Sequence, residues 1–250
     1  DSGSSSFASR LSEIQEGAPL PGEFAKVTKD APFTNSLGMT FVPLPGTGLL
    51  ICRHETRKAD YAAFFDSESG VGGNFWKAPT EGGVAISTGD THPVVNVSWE
   101  EADEFCKWLS RKEGRAYRLP SDREWSVAAG IADVEPPGLS PDELNRTISI
   151  AAADGDGNFA DQSWSRVLPN RKGGRSIDDR FPTTAPVMSF RANALGIYDL
   201  AGNVWEHTSD FFEPGRGDIS LRGNCWNDSD ARLSGRTARA KSARQGSDGF

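Results

Sequence analysis

Cys52, Cys106 and Cys225 are the three thiols of the 250-residue chain, and as residue types they could support redox chemistry, a disulfide or a soft-metal site. Their spacing argues otherwise. No CxxC pair and no metal-ligand pattern joins them, so neither a disulfide framework nor a zinc site is indicated, although a single disulfide stays open. The three histidines, His54, His92 and His207, form no HxH or HxxxH arrangement, and His92 before Pro93 reads as a packing and turn residue. A Gly-rich phosphate loop, a GxSxG elbow and an HExxH pair are all missing. Asp154-Gly155-Asp156-Gly157-Asn158 opens like an EF-hand loop, but Phe159 stands where the turn glycine belongs and Ser165 where the bidentate glutamate belongs. It is not an EF-hand.

The elements that must position these residues are short. With 36% hydrophobic and 10% aromatic residues, the chain can bury one large core. A formal net charge of -8 argues against a nucleic-acid partner, because phosphate binding rests on Lys and Arg displacing counterions. No apolar run approaches the roughly 18 to 20 residues of a membrane span, and Asp1 to Ser6 lack the basic start of a signal segment. Nothing in these residues names a compartment. Residues 1–30, rich in Ser, Gly, Pro and charge, read as a leader or linker with one short helical stretch at Phe7 to Ile14; residues 31–250 read as one domain. Met39–Pro43 and Leu49–Cys52 read as a hairpin about Pro45-Gly46-Thr47-Gly48. Thr56 to Phe65 reads as a helix capped by Thr56, with Tyr61, Phe64 and Phe65 on one face. Ser98 with Glu101, and Ser121 with Glu124, are capping boxes that open two further helices, the first carrying Ala102, Phe105, Cys106 and Leu109 on its apolar face. Gly130 to Pro186 reads as long irregular loops in need of tethers, and Asn224 to Ser247 as a polar surface loop.

Several blocks resemble the formylglycine-generating enzyme family, also called the sulfatase-modifying factor family. They are Asn35-Ser36-Leu37-Gly38-Met39, His92-Pro93-Val94-Val95-Asn96-Val97-Ser98-Trp99, Arg118-Leu119-Pro120-Ser121 with Glu124-Trp125, and Thr184-Ala185-Pro186-Val187. Asn193-Ala194-Leu195-Gly196-Ile197-Tyr198-Asp199-Leu200-Ala201-Gly202-Asn203-Val204-Trp205-Glu206 follows, then Leu221-Arg222-Gly223, Trp226 and the closing Gly249-Phe250. The resemblance covers about Asn35 to Phe250 and implies an α+β, C-type lectin-like fold of short strands, few helices and long irregular loops. Read by themselves, Gly202 suits a turn with positive φ and Trp205 suits a core edge, while Trp226 fits either a core or a binding surface.

The resemblance also implies what is missing. Family catalysis is a copper-supported, oxygen-dependent oxidation of a substrate cysteine by two cysteines that follow the Arg-Gly block. Here Asp228 and Leu233 fall at those positions, and no cysteine follows Cys225, which takes a place usually held by Ser. A carboxylate and an alkyl chain cannot hold copper(I), so no copper is expected. The histidine pattern of related iron-dependent sulfoxide synthases is absent as well. Structural calcium is implied at two donor sets: Asn158, the Phe159 carbonyl, Asp179 and the Phe181 carbonyl; and Asp199, the Gly202 and Val204 carbonyls and Glu206. These are hard oxygen donors, although the same carboxylates could instead be satisfied by backbone amides. Relatives of this fold among the variable proteins of diversity-generating retroelements diversify the C-terminal stretch into a ligand-binding face. By that resemblance Asn224, Trp226, Asn227, Asp228, Ser229, Asp230, Arg232 and Ser234 are candidate contacts with an unknown protein or other ligand; a stretch that merely closes the fold is the plain alternative. Three functions stand open: a ligand-binding module, an accessory recognition domain of a bacterial kinase or protease fusion, and a divergent oxidase.

Overall fold

A computed structural model describes residues 20, 22–68, 73–147, 150, 152–153, 155–170, 174–228 and 239–243. The first sheet is antiparallel, in the order β1 (Phe33–Thr34), β2 (Thr40–Leu44), β3 (Leu49–Cys52). Its register pairs Phe41 with Cys52 and Val42 with Ile51, and strand alternation sends these pairs to opposite faces. Phe41, Leu50 and Cys52 join the aromatic cluster of Tyr61, Phe64, Phe105 and Trp108, whereas Val42, Leu44 and Ile51 pack with Ala128 and Ile197. Both faces are therefore covered.

The aromatic cluster is supplied by α1 (Lys58–Ser67) and α2 (Trp99–Glu113). Helix α2 opens as its sequence predicts: the Glu101 amide donates to Ser98 Oγ (3.2 Å) and the Ser98 amide to Glu101 Oε2 (2.8 Å). The second box opens α3 (Asp122–Ala129), through the Glu124 amide to Ser121 Oγ (3.1 Å) and the Ser121 amide to Glu124 Oε2 (2.8 Å). Helix α1 starts later than expected. Arg57, not Thr56, is its N-cap, because the Asp60 carboxylate reaches back to accept the Arg57 amide at 2.9 Å.

Two short helices interrupt the stretch expected to be irregular, α4 (Pro141–Thr147) and α5 (Gln162–Val167). Each has its own cap. Ser140 and Glu143 form a third capping box, and Asp161 Oδ1 accepts the amides of Ser163 (2.7 Å) and Trp164 (3.2 Å).

A small hairpin, β4 (Thr80–Glu81) with β5 (Val84–Ala85), precedes the second main sheet, which runs β6 (Glu206–Phe211), β7 (Asp218–Arg222), β8 (Arg239–Ala243). Strand β8 corrects the reading of Asn224 to Ser247 as one surface loop. It pairs with β7 from Asp218↔Ala243 to Arg222↔Arg239, because β7 is buried from Ile219 to Arg222 and needs a partner along both edges. Two buried cations hold this corner. Arg222 and Arg239 approach Asp122 at 3.0 and 2.8 Å, Arg239 also meets Glu135 at 2.7 Å, and the Arg222 guanidinium lies 4.1 Å from the centroid of the Trp125 ring. Burial pushes the Asp122 carboxyl up, but Arg222, Arg239 and Ser220 together bring it below its ordinary value.

Candidate functional site

The Arg222-Gly223 block leads directly into the region where the chemistry was sought. Strand β7 ends at Arg222, and the chain then turns inward. Asn224 is fully buried with φ +81, and Cys225 and Trp226 are each 1% exposed, packed with Trp164, Val204, Trp205 and Leu221. The Trp226 amide donates to the Asn203 carbonyl at 2.9 Å. Asn224 and Trp226, expected on a ligand face, thus sit in the core, because Trp226 fills the space between the second sheet and α5. Asn227 and Asp228 are half-buried at its edge, while Ser229, Asp230, Arg232, Leu233 and Ser234 lie outside the described residues.

Cys225 is held as a thiol. Its Sγ donates to Asn227 Oδ1 (2.9 Å) and to Asp228 Oδ2 (3.1 Å), and Asp228 Oδ2 also receives the Cys225 amide at 3.3 Å. Burial, reinforced by the Asp228 charge, pushes the thiol well above its usual range. A protonated, enclosed sulfur is a poor nucleophile and a poor metal ligand. Asp228, which stands where a family cysteine would, stabilises this turn.

Two loops, around 155–159 and 199–206, interlock: the first carries Asn158 and Phe159 of the first set and the second carries the whole of the second set, while Asp179 and Phe181 come from a third stretch. A Cβ on Gly157 would overlap the Ala201 carbonyl, and one on Gly202 would overlap the Asn158 carbonyl, so only glycines allow the loops to meet. Gly202 also has the positive φ that its sequence context required, +82. The Asn203 amide donates to the Asn158 carbonyl at 2.8 Å, and Asn158 Nδ2 donates to the Thr183 carbonyl at 2.7 Å.

In the first set, Asp179 Oδ1 accepts the Phe181 amide at 2.8 Å, and the Phe159 backbone lies near enough to hold this carboxyl down slightly against the effect of burial. The four residues are therefore brought together. Asn158 Oδ1 and Asp179 Oδ2 are buried without a hydrogen-bond partner among the described residues. In the second set, Asp199 Oδ2 accepts the Met188 amide at 2.7 Å while Asp199 Oδ1 is likewise orphaned, and Glu206 Oε2 accepts Trp125 Nε1 at 2.6 Å. Burial drives Asp179 and Asp199 up to about 6 and Glu206 up to about 8, so each carboxylate lacks full compensation as an anion. Among the described residues, none of the Phe159, Phe181, Gly202 and Val204 carbonyls accepts a hydrogen bond. Orphaned oxygens of Asn158 and Asp179 in the first set, and of Asp199 in the second, beside carbonyls with no hydrogen-bond donor, are of the donor type a calcium ion takes, with Glu206 as a further side-chain donor in the second set. Among the described residues, no group of three or more His, Cys, Asp or Glu is placed to hold a metal ion.

Glu55 is a partner that the sequence did not mark. It lies just beyond β3, 7% exposed, and its carboxylate accepts Asn203 Nδ2 (2.6 Å) and the Val204 amide (3.2 Å). It braces the loop of the second set from the other side of the core. Only its direct succession to the strand ending at Cys52 could have hinted at such a role.

The sulfatase-modifying factor enzyme 1-like domain matches residues 21–250, and the chain belongs to this family. It is 33% identical over 147 residues to a formylglycine-generating enzyme of Thermomonospora curvata, covering 57% of this chain and 41% of that protein. It is 34% identical over 158 residues to the Mus musculus protein called inactive C-alpha-formylglycine-generating enzyme 2, covering 62% of this chain and 44% of that one. The chain therefore spans less than half the length of these relatives. Among solved structures, Treponema denticola variable protein 1 shares the fold at a TM-score of 0.51 and 18% identity, over 78% of this chain and 79% of its own. The C-type lectin-like α+β architecture expected from the resemblance is thus borne out. Among the described residues, no helix is long and apolar enough to cross a membrane.

Proposed function

We propose that this chain is a non-catalytic binding module that uses the formylglycine-generating enzyme scaffold to hold out the segment between Trp226 and β8. One observation carries the reading: the family's thiol pair has no counterpart here, and the nearest sulfur, Cys225, is enclosed and bonded to Asn227 and Asp228. Copper(I) selects paired soft thiolates, and the oxygens at this position do not replace them. That an inactive relative exists in the same family supports a scaffold that outlives its chemistry.

The anchors on either side support the display role. Trp226 is locked in the core, and Arg239 is locked by Asp122 and Glu135, so variation in Ser229, Asp230, Arg232 and Ser234 need not disturb these anchors, while Asn227 and Asp228 also hold the Cys225 turn. The partner belongs to the class of proteins or other exposed ligands, read by this polar segment. Calcium at the two oxygen sets would stiffen the loops that carry them; such an ion supplies charge compensation and not redox chemistry.

Sequencing this locus across related isolates tests the display role. The reading expects substitutions concentrated in codons 227–238, with Trp226, Arg239 and Asp122 unchanged. An even spread of substitutions over the domain would contradict it.

A further inference from the structure

A cavity of about 630 Å³ is walled by Leu50 and Cys52 of β3, Ala102 and Cys106 of α2, and Tyr61 of α1. Exposed Glu23 and Leu49 also line it, so it reaches the surface. That volume suits one small organic molecule. Its lining runs from the α1–α2 side of the first sheet to Ile197 and to Val204 and Trp205 of the cluster that holds Cys225 and Trp226, neither of which lines it.

Its charged wall groups are already engaged. Glu23 pairs with Arg115 at 3.1 Å and Arg118 with Glu124 at 2.7 Å; deeper in, Glu55 is bonded by Asn203 and Glu206 by Trp125. His54 Nδ1 meets the Glu55 carbonyl at 2.8 Å and His207 Nε2 the Val97 carbonyl at 3.0 Å. Burial pushes the thiols of Cys52 and Cys106 up to about 12, so both remain neutral. Burial pushes the Glu55 and Glu206 carboxyls up, Glu206 to about 8, so the wall favours an uncharged guest. Three polar atoms of its lining residues are buried with no hydrogen-bond partner among the described residues, Tyr61 Oη, His207 Nδ1 and Arg115 Nε; of these Tyr61, 1% exposed, is a neutral hydroxyl donor. Leaving such a donor unsatisfied when buried is destabilising, and a bound acceptor would relieve it.

We propose that this cavity binds an uncharged, largely apolar small molecule that presents a hydrogen-bond acceptor to the Tyr61 hydroxyl. The site is independent of the displayed segment, and either can fail without the other.

Nile red, an uncharged fused-ring dye with a carbonyl acceptor, is a suitable probe. Titrated into the full chain, it is expected to bind in one saturable step at one dye per chain with blue-shifted emission. Ala102→Phe fills the cavity and lowers affinity at least tenfold. Tyr61→Phe lowers it about fivefold, equivalent to one hydrogen bond of about 1 kcal/mol. Phe75→Ser, at an aromatic residue 70% exposed on the outer surface, leaves affinity unchanged. Near-UV circular dichroism checks that each variant folds. If Ala102→Phe does not, the wild-type chain still decides: bound dye slows N-ethylmaleimide alkylation of Cys52 and Cys106, read by peptide mass spectrometry, and leaves the rate at Cys225 as it was. Absence of saturable binding, alkylation indifferent to dye, or affinity lost with Phe75→Ser and kept with Ala102→Phe would overturn the proposal. Unchanged affinity in Tyr61→Phe would overturn its hydrogen-bonding part.

Discussion

A thiol holds copper(I) when it is ionised and has a second sulfur beside it, and Cys225 meets neither condition. Its bonds to Asn227 and Asp228 are ones a hydroxyl also makes. Cys225→Ser is therefore expected to fold and to lose no more than about 1.5 kcal/mol in urea unfolding, within the range of near-isosteric core changes. Gly157→Ala tests the opposite case. The added methyl would collide with the Ala201 carbonyl across the loop clasp, so a loss of about 3 kcal/mol or more is expected by the same measurement. The need for Gly202 was legible in Leu200-Ala201-Gly202-Asn203, where a turn demands positive φ. That of Gly157 was not, since it arises from a carbonyl far away in sequence. Glu55 was hidden for the same reason: its partners, Asn203 and Val204, come from the other end of the domain.

Helix starts were legible where a Ser and a Glu three residues on form the cap; the Arg57–Asp60 start of α1 and the Asp161 cap of α5 were not. Ser98 with Glu101 and Ser121 with Glu124 announce α2 and α3, and Ser140 with Glu143 carries the same signal for α4 amid Gly and Pro residues that obscure it. Strand β8 carries no such local mark. Arg239-Ala240-Lys241-Ser242-Ala243 reads as polar surface until Asp122 and Glu135 are placed against Arg239. Removing that cation leaves buried carboxylates with one counterion fewer, so Arg239→Ala should cost about 3–5 kcal/mol in denaturant unfolding. Arg239→Lys should recover only part of it, because one ammonium cannot span both acids as the guanidinium fork does. The Asp122 carboxyl lies below its unfolded value, so its contribution is complete above about pH 4 and fades as the pH falls through the folded value. In Asp122→Asn the stability-against-pH curve should be shallower on its acid side; an unchanged acid limb would show that the ion pairs do not hold this corner.

At the scale of the whole molecule, short strands and long loops are kept together by two sheets, a shared aromatic core and the clasp between 155–159 and 199–206. The orphaned oxygens of Asn158, Asp179 and Asp199 support the proposal that a hard cation stabilises the fold. Full-length chain melted with calcium at a hundredfold excess over its dissociation constant should gain about 2.7 kcal/mol over chain melted with chelator, and Asp179→Asn or Asp199→Asn should shrink the gain. Coincident melting curves would argue against calcium. The reading of the chain as a non-enzyme rests, beyond these details, on a scaffold stripped of its paired sulfurs. Its most direct test is mass spectrometry of a cysteine-containing peptide after incubation with the full chain, copper(I) and oxygen. The account predicts no peptide aldehyde above the protein-free control; aldehyde that forms with the wild-type chain and is lost with Cys225→Ala would contradict it.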